Sequence, residues 1–225
     1  VSDDLSVANA AARNRANGAL WSGAALLLVG SVGVLSGAFA AFGFYHRLLN
    51  PFAHALTPWV LLAVLVSARR APRTAVPRTI VCLLGAVVAF YVGKPLLYNT
   101  VYYPDAPDIG VQVNNLVMWC VLAMLTGAVL GAVFSAIGGA SWSGSAATAT
   151  AIALLLAATI EETGFGLADS DLPLLLCCGC AVLLTLHLAD TRDGRLRRIG
   201  VLTLPLLVAG FVLVAAPDLL QGMTL

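Results

Sequence analysis

Residues 79–101 read TIVCLLGAVVAFYVGKPLLYNTV, an unbroken apolar run whose single charge is Lys94. As an α-helix this stretch is about 34 Å long at 1.5 Å per residue, enough to cross a hydrocarbon core of roughly 30 Å. Its neighbours repeat the pattern. Apolar segments fall at about residues 19–44, 51–68, 79–101, 115–137, 146–164, 172–188 and 200–216. Of the 225 residues 60% are hydrophobic and 10% charged, and the mean hydropathy is +0.94. A soluble domain carries about 25% charged residues. The fold class is therefore an all-α polytopic membrane bundle of about seven transmembrane helices. A water-soluble fold, disorder and a secreted disulfide scaffold are excluded.

The expected organisation is a cytoplasmic segment over 1–18, one transmembrane domain over 19–216 and a short tail over 217–225. Val1 reads as an alternative start codon, giving a native N-terminus. The first apolar run is too long for the core of a signal peptide and is expected to stay as an anchor. The second run is short and contains Pro58, so a six-span reading would drop it or make it re-entrant.

Arginine sets the orientation. With the N-terminus inside, Arg13, Arg15, Arg69, Arg70, Arg73, Arg78, Arg192, Arg195, Arg197 and Arg198 are cytoplasmic, and only Arg47 and Lys94 are outside. The acids Asp105, Asp108, Glu161, Glu162, Asp169, Asp171 and Asp218 then fall outside or near the outer surface. The expected location is a bacterial inner membrane, with the lipid bilayer as first partner. A net charge of +1 gives no footprint for nucleic acid.

Small residues spaced by four let helices approach in lipid. Gly33 and Gly37, Gly127 and Gly131, and the row Gly85, Ala89, Gly93 have this spacing and read as packing seams. The stretch Val34–Gly43 is similar to Val129–Gly138, a weak sign of the inverted repeats found in transporters.

Lys94 leads the candidate site residues. It stands between Gly93 and Pro95, and Tyr91, Tyr98 and Tyr102 share its helical face by spacing. The alternative is a lysine snorkelling to the interface among belt tyrosines. Glu161 and Glu162 reach a similar depth from Ala146, and opposite charges near hydrocarbon are cheaper together than apart. A Lys94 pair with Glu161 or Glu162 is therefore expected, with Tyr91, Tyr98, Asn99 and His54 shaping a substrate-binding site. The competing reading leaves both acids solvated at a helix end. His46 and Arg47 flank the same outer connection, and residues 102–108 form a loop rich in aromatics, prolines and acids. Asn114 and Asn115 lie nearby.

Of five cysteines, Cys177 and Cys180 have CxxC spacing, but packing is the expected role for these and for Cys82, Cys120 and Cys178. His187 and Asp190 open a loop that turns at Asp193-Gly194 and carries cytoplasmic arginines. No metal-ligand spacing is present, no cofactor motif occurs, and the P-loop, zinc-protease and nucleophile-elbow patterns are missing.

The features Pro58-Trp59 before Leu61–Val66, Gly85 with Tyr91-Val92-Gly93, Trp119 before Gly127 and Gly131, and Glu161 resemble those of a group of small bacterial multi-pass membrane proteins of unknown activity. That resemblance implies architecture only. The size is also similar to that of the substrate-binding subunits of vitamin-type importers, which have about six spans. Three functions follow as expectations. The first is small-solute binding or transport through an outward-facing polar site centred on the Lys–Glu pair. The second is an intramembrane enzyme acting on a lipid or isoprenoid with a glutamate acid/base. The third is a non-catalytic accessory or immunity subunit. The sequence leans away from an enzyme. Expected partners are a small-molecule solute and a second copy or membrane subunit.

Overall fold

The computed structural model describes residues 2–105, 107–164, 171–189 and 195–224, with side chains between 23 and 212. Asp169, Asp190, Arg192 and the Asp193-Gly194 turn lie outside the described residues. The described chain is helical throughout: α1 (Ser2–Gly43), α2 (Asn50–His54), α3 (Thr57–Ser67), α4 (Pro72–Leu97), α5 (Val113–Phe134), α6 (Trp142–Thr163), α7 (Leu172–Leu188) and α8 (Arg195–Thr224). A π-helical turn, Tyr98–Tyr102, extends α4. Among the described residues four helices are long and apolar enough to cross a membrane: Gly23–Gly43, Pro72–Tyr102, Val113–Phe134 and Trp142–Thr163.

Several of the seven sequence segments differ from their expected form, among them the run over 200–216, which lies within a longer helix, Arg195–Thr224, that takes in most of the expected tail. The run over 51–68 is not one helix. Ala55 is extended at the end of α2, and α3 is only eleven residues long, about 16 Å. The run expected to begin at Thr79 begins at Pro72, a favoured first position because proline has no N–H to leave unbonded. No helix break separates residues 1–18 from α1, which runs unbroken from Ser2.

Glycine sets the packing. α1 and α4 lie side by side and parallel. A Cβ added at Gly33 would collide with the Cys82 carbonyl, and one added at Gly37 with the Ala86 carbonyl. The other face of α4 receives α5 in the opposite direction. Cβ atoms at Gly127 and Gly131 would come within 3.0 Å of Ile80 Cα and 2.8 Å of Val76 Cα. Both glycine pairs singled out in the sequence therefore clamp the same helix. On the far side α6 packs on α8, again parallel: Ile199 meets Ala149 and Ile152, and Gly210 meets Ala157.

The short α3 stands between these halves, packed on α4, α5, α6 and α7. Ala63 and Val64 are completely buried and share a core with Phe134, Ile137, Leu155 and Ala158. α6 is the most enclosed of the long helices.

The ends of α3, α5 and α7 meet the starts of α4, α6 and α8 at an arginine-rich end. Arg69, in the left-handed region at φ 58°, ties it together. Its backbone N–H donates to the Ile137 carbonyl at 3.1 Å and its Nε to the Leu188 carbonyl at 2.8 Å. A cation on the last carbonyls of α7 also complements the helix dipole. Strain of about 1–3 kcal/mol at a left-handed non-glycine residue is offset by these bonds.

The packing predicts opposite outcomes for two glycine substitutions. Gly37→Leu should lower the stability of the purified protein by about 1–3 kcal/mol or more, because the colliding atom is backbone and cannot rotate away. Gly179→Ala, where nothing lies within 4 Å, should be neutral or stabilising by up to about 1 kcal/mol. Thermal melts in detergent distinguish the two.

Candidate functional site

The far end of the bundle is aromatic, and it is built on the α1–α4 register. With Gly37 against Ala86 and Ala41 against Gly93, the chain leaves α1 beside the last turn of α4. Phe44 lies in the turn just past α1, its N–H donating to the Ala40 carbonyl at 2.9 Å. Its ring lies under the Lys94 ammonium, with Nζ 3.8 Å from the ring centroid. The His54 ring packs on Phe44 at 5.2 Å. Asn50 Nδ2 donates to the Phe44 carbonyl at 2.7 Å and fixes the connection between them.

The expected Lys94 ion pair with Glu161 or Glu162 does not form. Among the described residues no carboxylate lies within ion-pair distance of Lys94, whose side chain is engaged by Phe44. The physical reason is azimuth. α4 packs chiefly on α1, α5 and α3, whereas α6 packs on α8, α7 and α3. Equal depth therefore does not bring the charges together. Glu161 is exposed and Glu162 half-buried at the end of α6, and neither is without a partner. The element of the aromatic end that does pack on α6 is α2, which carries His54.

The tyrosine stripe also divides. Tyr91 packs in a separate cluster with Trp59, Leu83, Val87 and Trp119. Tyr98 and Tyr102 turn toward Tyr45, with centroids at 6.3 and 4.7 Å. Pro95 removes a helical N–H, and the π-helical turn beyond it shifts the register of the last residues. Tyr45 Oη donates to the Lys94 carbonyl at 3.1 Å, and Tyr102 Oη bonds His46 Nε2 at 2.8 Å. Burial, then the neighbouring Tyr98, Tyr103 and Tyr102, pushes the Tyr45 phenol above its ordinary pKa. It stays protonated and keeps its donor role at all physiological pH values.

Asn99 is committed elsewhere. Its Nδ2 donates to the Ile109 carbonyl and its Oδ1 accepts from the Ile109 N–H, both at 3.0 Å. The side-chain amide imitates a strand partner and closes the loop before α5 on the π-helical turn.

One cavity of about 220 Å³ adjoins this end. It is half-open and lined by Ser36, Phe39 and Ala40 of α1, Phe52 of α2, Pro58, Trp59, Leu61, Leu62 and Leu65 of α3, and Cys177 of α7. No charged residue lines it. Next to the lining residue Pro58, Thr57 Oγ1 and Thr159 Oγ1 share a buried hydrogen bond at 2.8 Å, holding the start of α3 to α6. Cys177, Cys178 and Cys180 are free thiols, with Cys178 buried against the Leu155 carbonyl and Cys180 exposed. Among the described residues no group of three His, Cys, Asp or Glu is arranged to hold a metal ion.

Sequence reasoning missed Phe44, Tyr45 and the cavity. Phe44 was within reach, since pairing the Gly33/Gly37 seam with the Gly85/Gly93 row brings residue 44 to the level of Lys94. No family model, curated protein or solved structure matches the chain.

Asn99→Leu should free the loop. Limited proteolysis should then cut within residues 103–110 faster than in the wild type, with the melting temperature little changed because the bonds are exposed.

Proposed function

We propose that the protein is a multi-pass inner-membrane bundle of about seven crossings, N-terminus cytoplasmic, that binds a small anionic solute from the outer side at Lys94. Two observations support the topology. Helix directions alternate between the arginine-rich and aromatic ends, with α2 and α3 together counting as one broken crossing. The arginines gather at one end, as the positive-inside rule requires.

The observation that carries the binding reading is Lys94 itself. Its ammonium is half-buried at the end of a membrane helix and held on an aromatic ring, and no described carboxylate neutralises it. Intramembrane cations of this kind pair with a group of opposite sign or line a wet cavity. An anion from outside supplies the missing charge. His54, on the other contact of Phe44, adds a polar ring beside the approach. The original Lys–Glu centre is replaced in this reading by a Lys–Phe–His centre.

Transport is the extension of the same reading. Discontinuous helices are where transporters place substrate sites and hinges, and the break between α2 and α3 lies in the central column of the bundle. The enzyme alternative requires a carboxylate beside an opening to lipid, and none lines the cavity. The accessory-subunit alternative predicts no cavity.

Two measurements test this. Reporter fusions at Arg73 and Arg195 should read cytoplasmic, and one at Asp108 external. An external signal at Arg195 would remove the seven-crossing topology. Lys94 is the chain's sole lysine, so acylation by an amine-reactive ester can be followed there by peptide mass spectrometry. Butyrate at constant ionic strength should slow that acylation relative to chloride. Equal rates in the two salts would sink the anion site.

A further inference from the structure

The anion site and the apolar cavity are adjacent, and two short stretches of chain join them. On α1, Ala40 lines the cavity, and Phe44 stands one helical turn beyond it, about 5.4 Å along the axis. On α2, Phe52 lines the cavity and His54, two residues on, packs against Phe44. The cavity thus ends where the Lys94–Phe44–His54 cluster begins. Its lining is apolar apart from Ser36 and Cys177, and it is half-open.

A hydrophilic anion uses only the upper half of this arrangement. We propose that the occupant is a single-chain anionic amphiphile taken from the leaflet at the aromatic end. Its headgroup lies at Lys94 and its hydrocarbon chain descends into the groove along α3. The inference rests on the anion site proposed above and adds its substrate class. Charge complementarity selects the headgroup: the ammonium lies on Phe44, one turn beyond the cavity-lining Ala40, and has no described carboxylate partner. A cavity of about 220 Å³ has room for part of one hydrocarbon chain. The apolar lining excludes a sugar or peptide, because their hydroxyls and amides would be buried without partners.

The thiols allow the two halves to be read separately. Cys177 lines the groove, while Cys180, three residues on, is exposed on the outside of α7. In the full chain reconstituted into phosphatidylcholine vesicles, palmitate should slow both Lys94 acylation and Cys177 alkylation by a membrane-permeant maleimide. The effect should be about tenfold when palmitate is present at about ten times its dissociation constant. Cys180 alkylation should not change, which controls for reagent partitioning. Butyrate should slow Lys94 alone. If palmitate shields Lys94 but leaves Cys177 at its unliganded rate, the chain does not enter the groove; this inference fails and the anion site stands. If Cys177 is shielded while Lys94 reacts freely with both acids, the groove takes a chain with no headgroup at Lys94, and both readings fall. If neither acid alters either residue, both fall as well.

Discussion

The bundle depends on backbone contact between α1 and α4. In lipid no hydrophobic force brings helices together, so association relies on packing at close range. Gly33 and Gly37 have no Cβ, and the Cys82 and Ala86 carbonyls occupy the space one would fill. This contact fixes not only the separation of the helices but their register along the axis. The register in turn sets Phe44 beneath Lys94. A slip of one turn would move the ammonium about 5.4 Å along the ring's helix and break the contact. The second seam, Gly127 and Gly131 on α5, holds the opposite face of α4. The helix that carries the charge is therefore the most firmly held of the long helices in its half of the bundle.

Much of this was legible in residue spacing. Small residues four apart predicted which faces would meet, and Lys94 among apolar neighbours predicted where the charge would sit. Which helix each face would meet was not legible. Hydropathy gives depth along the membrane normal and says nothing of position around it. Lys94 and Glu161 share a depth, yet α4 and α6 belong to different halves of the bundle, separated by α3. The same gap hid the role of residues 57–67. Their shortness left open a six-span alternative that dropped the run or made it re-entrant, but Ala63 and Val64 are completely enclosed. A short helix can be central when long helices on both sides screen it from lipid, because only the column as a whole must span.

The local irregularities have local causes, and each moves a side chain. Pro95 leaves α4 without one backbone donor, and the π-helical turn after it widens the spiral. Tyr98 and Tyr102, placed on the Lys94 face by 3.6-residue periodicity, rotate instead toward Tyr45. Tyr45 then donates to the Lys94 carbonyl, so the backbone that carries the charge is tied to α1 twice, once through each of two adjacent aromatic residues. Asn99 shows the opposite lesson. An amide near a candidate site is attractive as a ligand, but its two bonds to Ile109 use both ends of the side chain.

The energetics of Lys94 connect these points to function. Placing a lysine within a membrane helix costs about 2.5–3.5 kcal/mol at the bilayer centre on insertion scales, and less near the surface. A cation over an aromatic ring recovers about 0.5–1 kcal/mol when exposed and about 2 when desolvated. Phe44 therefore offsets part of the cost but leaves the charge itself unneutralised. A structural lysine would be better served by an arginine-like network or by a carboxylate, and α1 and α5 offer neither where they face α4. The fold instead spends its tightest helix contact and two hydrogen bonds on orienting an ammonium toward an aromatic floor beside an apolar groove. In the binding proposed above, a negative group would neutralise the lysine and an apolar body attached to it would fill the groove, so the two parts of one ligand would relieve both costs together.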